Sequence, residues 1–218
     1  SGGDAELYNF DTTGTLIRTV SIQNTTNVDW EELAQDEFGN FYIGDFGNNS
    51  NNRQDLKIYK IGNPDTSLES SIFADTISFS YPDQNAFPPP DSELYFDMEA
   101  MIAFENSIYL FSKNRTNPYD GITKLYKLPN SAGNYTAEVL DNFNTCQSSI
   151  LQCSITAADI SPDGSKLVLL GYSKLWMFTN FTGNDFFGGD VQEFDFASWS
   201  QKEAICFVSN TELYITDE

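Results

Sequence analysis

An all-β fold follows from three features of this 218-residue sequence. Hydrophobic residues make up 40% of it and aromatics 15%, gathered with β-branched residues into short strand-like runs. Gly, Asn, Asp and Pro clusters punctuate those runs, as turns do between strands. The runs also recur as one repeated unit, and internal repetition is the first guide to architecture.

In chain order, residues 5–10 (AELYNF) and 16–22 (LIRTVSI) read as the third and outer strands of a unit. A full unit begins at VDWEELAQDEFGNFYIGDFGNN, continues to DLKIYKI and takes TISFSY as its outer strand. The next is FDMEAMIAFENSIYLFSKNRTNPYDGITKLYKLP, with YTAEVL outermost. ITAADISPDGSKLVLLGYSKLWMFTN follows, with VQEFDF outermost, and SQKEAICFVSNTELYITDE supplies two more strands. Tight turns at Phe38-Gly39-Asn40, Glu105-Asn106-Ser107, Pro162-Asp163-Gly164 and Ser209-Asn210-Thr211 join first and second strands. Gly, Asn and Asp tolerate the positive φ such hairpins need. Four antiparallel strands per unit describe a propeller blade, so the expectation is a β-propeller of about five blades. It forms a single domain over residues 1–218, with units starting near residues 29, 97, 156 and 202. Unequal loops, the longest around NAFPPPDSE, account for the uneven period. Two accounts of the ends remain. The chain is an excerpt trimmed from a longer propeller, or its first and last strand pairs combine into one closing blade that leaves no free edge.

Bulk chemistry narrows the function. With 32 acids against 11 Lys and Arg the formal charge is −21, which disfavours nucleic acid and anionic membrane as partners. No run has transmembrane length, so direct membrane insertion is not expected. The absence of histidine removes Ser-His-Asp and Cys-His nucleophile systems and the commonest zinc ligand. Cys146 and Cys153 flank a polar loop and read as a disulfide, which implies an oxidising, extracytoplasmic compartment. Cys206, within EAICFV, reads as a buried core thiol.

Blade geometry puts the start of each first strand and the end of each second strand on one face. The starts carry Asp29, Glu31, Glu32, Asp97, Glu99, Lys202 and Glu203. The ends carry Asp45, Asn48, Asn49, Lys113, Asn114, Arg115, Asp217 and Glu218. Glu31, Glu99 and Glu203 occupy equivalent repeat positions, where the third unit has Ala158. The candidate ligand-binding set is therefore Asp29, Glu31, Asp45, Asn48, Asp97, Glu99, Lys113, Arg115, Lys202, Glu203 and Asp217. Glu31, Glu99 and Glu203 are candidate calcium ligands, because clustered carboxylates suit a hard cation. A carboxylate pair could instead serve as acid and base on a glycoside or ester. Equally, the acids could cap turns and pair with Lys113, Arg115 and Lys202. Trp30, Tyr42, Phe46, Phe96 and Tyr119 adjoin these clusters and are expected to pack between blades.

The segments DWEELAQDEFGNFYIGDFGNN, YLFSKNRTNPYDGITKLYKLP, ITAADISPDGSKLVLLGY and KEAICFVSNTELYITDE resemble a family of secreted bacterial β-propellers of the Bacteroidetes type. That family is loosely similar to the esterase-like phytase and SdiA-regulated propeller groups, and its activity is mostly unassigned. The resemblance covers nearly the whole chain. It implies export, and it implies further blades before SGGDAELYNFD and after the last TDE. The expected function is a secreted or cell-surface recognition module whose polar mouth binds a glycan or protein partner, with calcium as a candidate aid. A carboxylate- or metal-dependent hydrolase of glycosides, esters or phosphoesters is the alternative, and a structural part of a surface assembly is a third.

Overall fold

A computed structural model describes residues 2–66 and 69–217, which form eighteen strands and very little helix. The chain enters through a hairpin of β1 (Glu6–Phe10) and β2 (Leu16–Gln23). The first complete blade comprises β3 (Trp30–Gln35), β4 (Phe41–Asp45), β5 (Lys57–Ile61) and, after β6 (Ser71–Phe73), the outer β7 (Asp75–Ser80). The second comprises β8 (Asp97–Phe104), β9 (Ser107–Lys113), β10 (Ile122–Pro129) and, after β11 (Gly133–Thr136), the outer β12 (Glu138–Asn144). The third is β13 (Ala157–Ile160), β14 (Lys166–Leu170), β15 (Lys174–Thr179) and β16 (Asp190–Asp195). A last hairpin pairs β17 (Lys202–Ser209) with β18 (Glu212–Asp217).

Every complete blade runs antiparallel from its inner to its outer strand, as the repeat predicts. The two-residue turn Glu105-Asn106 between β8 and β9 holds both residues at positive φ, 46° and 60°. The inner strands β3, β8, β13 and β17 lie side by side in that order. In the three complete blades the second strands are buried on both faces, so alternate side chains feed two different cores. In β9, Ile108 and Leu110 join the core shared with the first blade, while Tyr109 and Phe111 join the core shared with the third. In β14, Leu167 and Leu169 face the second blade, and Val168 and Leu170 face the last hairpin.

Two carboxylates tie inner strands together. Glu32 Oε2 accepts from Ala158 N at 3.2 Å, crossing from the first blade to the third. Asp159 Oδ2 accepts from Phe207 N at 2.7 Å, joining the third blade to the last hairpin. Each satisfies an amide on a strand edge that has no strand neighbour there.

The structure departs from expectation in three places. YTAEVL is not one outer strand. Residues of β11 pair parallel with β7 of the preceding blade, and β12 starts two residues later. β6 pairs parallel with β2 in the same manner, so the chain between third and outer strands latches onto the previous sheet. In the third blade a 3-10 turn, Phe186–Gly188, takes that role and sinks Phe186 into the core beside Tyr109. Second, Cys206 is exposed, on the face of β17 turned away from the third blade. Third, no closing blade forms among the described residues: β17 and β18 make a two-stranded sheet, β1, β2 and β6 a three-stranded one, and no pairing joins them.

Candidate functional site

The three equivalent glutamates share a backbone irregularity. Trp30 pairs with Asp45 and Glu32 with Gly44, which leaves Glu31 as the extra residue of a β-bulge. Met98 pairs with Ser112 and Ala100 with Phe111, leaving Glu99. Lys202 pairs with Asp217 and Ala204 with Thr216, leaving Glu203. In the third blade the register is unbroken at Ala158. A bulge breaks the two-residue alternation and re-aims the displaced side chain. All three glutamates thereby line one cavity of about 580 Å³ at the channel mouth, with Asp29, Asn49, Lys113, Arg115 and Tyr172. That volume lies within the range of small-ligand pockets.

Glu99 is the anchor of the wall. Its Oε2 lies 3.1 Å from Lys113 Nζ and its Oε1 3.4 Å from Arg115 Nη2. Arg115 also meets Asp97 through Nε at 2.5 Å and Asn49 Oδ1 through Nη2. Lys113 donates to Tyr172 Oη at 3.1 Å, and that hydroxyl donates to Glu203 at 3.2 Å. Glu31 and Asp29 stand over Gly47, where a Cβ would overlap both carboxyl groups. Burial, then the charges of Glu99, Asp29 and Asp97, push the Glu31 carboxyl up to about 9. Burial and Asp97 raise Glu99 to about 7, against the pull of Lys113 and Arg115. A carboxyl held this high keeps its proton near pH 7, so Glu31 presents a hydroxyl donor to the cavity.

The rest of the predicted set divides. Asp97 is fully buried and serves the wall, accepting from Asn48 N at 2.7 Å and from Arg115. Asp45 is buried beneath the mouth, accepting from Asp29 N at 2.9 Å and pairing with Arg53 at 3.1 Å. Asn48 is a buried loop brace, receiving Asn52 N and Arg53 N and donating to Phe96 O. Lys202 does not reach the cavity. Its Nζ donates to Tyr172 O and Ser200 Oγ and lies 4.7 Å from the Phe196 ring centroid. Asp217 is exposed and bonded to Ser200 at 2.6 Å. Glu218 lies outside the described residues. Glu31, Glu99 and Glu203, the candidate calcium ligands, line one cavity but are engaged separately. Among the described residues no group of three or more Cys, Asp or Glu side chains is placed to hold a metal ion; Glu99 meets two cations and Glu203 meets Tyr172.

Tyr42, Phe46 and Phe96 are core residues, as expected; Trp30 packs on Tyr59 at the edge of the core under the entry sheet, ring centroids 6.2 Å apart, and also lines the mouth, its Nε1 donating to Thr26 O at 3.1 Å. Tyr172 was not among the predicted residues, although it follows the second strand of its unit much as Arg115 follows the second strand of another. Ile150 and Leu151 also line the cavity. They sit on a helical turn, Ile150–Cys153, that the Cys146–Cys153 disulfide fastens to the preceding loop.

No protein-family model matches the chain, and no curated protein matches it. Among solved structures, a protein of Bacteroides uniformis named "putative 6-phosphogluconolactonase" matches 98% of this chain with a TM-score of 0.54 and 11% identity. The fold is an all-β propeller. The chain spans 57% of that protein's length. At this identity the likeness speaks of the fold alone, and the site is read from its own geometry.

Proposed function

We propose that the chain is an extracytoplasmic recognition module whose mouth binds a glycan. The observation that carries this reading is the convergence of three bulged glutamates on one polar cavity beside Trp30 and Tyr172. A sugar offers adjacent hydroxyls and an apolar C–H face. Carboxyl, amide, ammonium and guanidinium groups answer the hydroxyls, and aromatic rings answer the face. Net anionic character at the rim disfavours phosphate and nucleic acid. The disulfide supports an oxidising compartment, and no helix among the described residues is long and apolar enough to cross a membrane. The resemblance of the sequence to secreted bacterial propellers accords with both.

The test is calorimetric titration of a panel of neutral and amino-sugar oligosaccharides. Glu31→Ala should weaken the best ligand about tenfold, the loss expected for one good hydrogen-bonding group. Glu31→Gln, which keeps a donor, should retain most of the affinity. A panel with no binder, or a best ligand indifferent to Glu31→Ala, overturns the reading.

One observation favours a second reading, a hydrolase of glycosides or esters. A neutral Glu31 and the more acidic Glu99 share one cavity, the pairing of acid and base that such chemistry uses. Turnover of nitrophenyl glycosides or esters that is lost in both Glu31→Gln and Glu99→Gln would support it. Undiminished turnover in either variant would exclude it.

A further inference from the structure

The mouth is chemically lopsided. Bulged glutamates from the first blade, the second blade and the last hairpin supply carboxyls to it. The third blade has Ala158 in unbroken register at that position and supplies none. On its side the cavity is lined by Ile150, Leu151, Thr156 and Tyr172 instead. A ligand gripped by the carboxyls can therefore extend over the third blade along a wall without acids.

Just outside that wall stands Trp199, in the connection from β16 to β17. Tryptophan is highly buried on average, yet this one is 56% exposed. Its Nε1 donates to Leu151 O at 3.4 Å, and its ring stands near edge-on to Tyr172 with centroids 6.0 Å apart. Both contacts are residues of the cavity wall. Leu151 is itself 55% exposed, so the two side chains make an apolar ledge continuous with the cavity.

The segments that carry the ledge are fixed. The Cys146–Cys153 disulfide closes the turn that bears Leu151, and Gln152 O accepts from Ser173 Oγ at 3.1 Å. Phe196 N donates to Ser173 O at 2.9 Å, and Lys202 Nζ donates to Tyr172 O and Ser200 Oγ. Residues on both sides of Trp199 are thus anchored to the turn at Tyr172 and Ser173. A ring held in place beforehand loses less freedom when a ligand covers it. The third blade lies between the second blade and β17, so the ledge rests on an enclosed blade and not on a free sheet edge.

We infer, resting on the glycan reading above, that Leu151 and Trp199 form an outer subsite where the face of a second sugar residue packs while the first is held in the cavity. The ligand is then an oligosaccharide, laid outward over the third blade. A sugar ring carries hydroxyls at its edge and C–H groups on its faces. One aromatic and one aliphatic side chain answer such a face without hydrogen bonds. The polar cavity reads the first residue, and the ledge rewards length.

NMR titration of the chain with cello-, xylo-, malto- and chito-oligosaccharides, each from monosaccharide to pentasaccharide, tests this. In the best series the disaccharide should bind about five- to tenfold more tightly than the monosaccharide, the scale of one aromatic contact. Trp199→Ala should remove that gain and leave the monosaccharide unchanged, and Trp199→Phe, which keeps a ring, should restore most of it. Glu31→Ala should weaken every length alike, so the two sites are separable. A panel with no binder overturns the glycan reading and the subsite with it. Binding indifferent to length, or a gain that survives Trp199→Ala, overturns the subsite alone. So does a Trp199→Ala loss shared equally by the monosaccharide, which would make the ring a prop for Tyr172. A dimer in sedimentation that Trp199→Ala dissolves would make the ledge a contact between copies, and it too would overturn the subsite.

Discussion

Glu99 and Lys113 are both almost wholly buried, and each is the other's main compensation. Truncating one leaves a charge without its partner in a poorly solvated site. Lys113→Met should therefore cost about 3 kcal/mol in urea unfolding, and adding Glu99→Gln should recover most of it. A loss below about 1 kcal/mol would mean that water already screens the pair. The glutamates were legible in the sequence because they recur at one repeat position. Their bulges were not, since a bulge is a relation between two strands and no single strand encodes it. Lys202 misled for a different reason. A lysine beside an acidic cluster reads as a site cation, yet its ammonium lies over the Phe196 ring and is spent on local oxygens. Tyr172 was hidden by its type, because only aligned strand ends reveal that it stands near the place of a cation.

Inner, second and third strands followed directly from apolar runs bounded by turn residues. The latches between blades did not. β11 is four residues of alternating exposure, GNYT, and nothing local tells it to join β7 of another blade. The third blade's latch instead depends on one ring. Phe186 is fully buried, with centroid distances of 5.0 Å to Tyr109 and 5.1 Å to Phe181. Phe186→Ala should cost about 3–5 kcal/mol in chemical denaturation, the usual range for a deleted core phenylalanine. Ligand affinity at the mouth should not change, because the ring lies in the core between the second and third blades and not in the cavity wall. A loss under about 1 kcal/mol would show the turn to be ornamental to the blade contact.

A formal charge of −21 and several uncomfortable carboxyls act on the whole molecule together. Burial raises Asp159 to about 6, as it raises Glu99 to about 7 and Glu31 to about 9. Such groups hold protons more tightly when folded, so stability falls as pH climbs from the unfolded carboxylate range through those values. Asp163, lowered to about 2 by the Ser165 and Ser161 hydroxyls, acts in the opposite sense: its contribution is present above the unfolded range and vanishes as pH falls toward 2. Maximal thermal stability is expected near about pH 4–5, with a decline toward pH 9 that added salt lessens and Glu31→Gln flattens. A melting temperature that rises between pH 5 and 8 would refute this. The carboxylate that ties β3 to β13 has a bearing on the two cavities. Glu32 follows Glu31 of the mouth and precedes Leu33, which lines a second cavity at the far end, and it spans to Ala158 between the two. The inner strands thus carry two separate cavities whose linings share no residue, with the Glu32 carboxyl bridging strands between them, so a substitution in one leaves the walls of the other untouched.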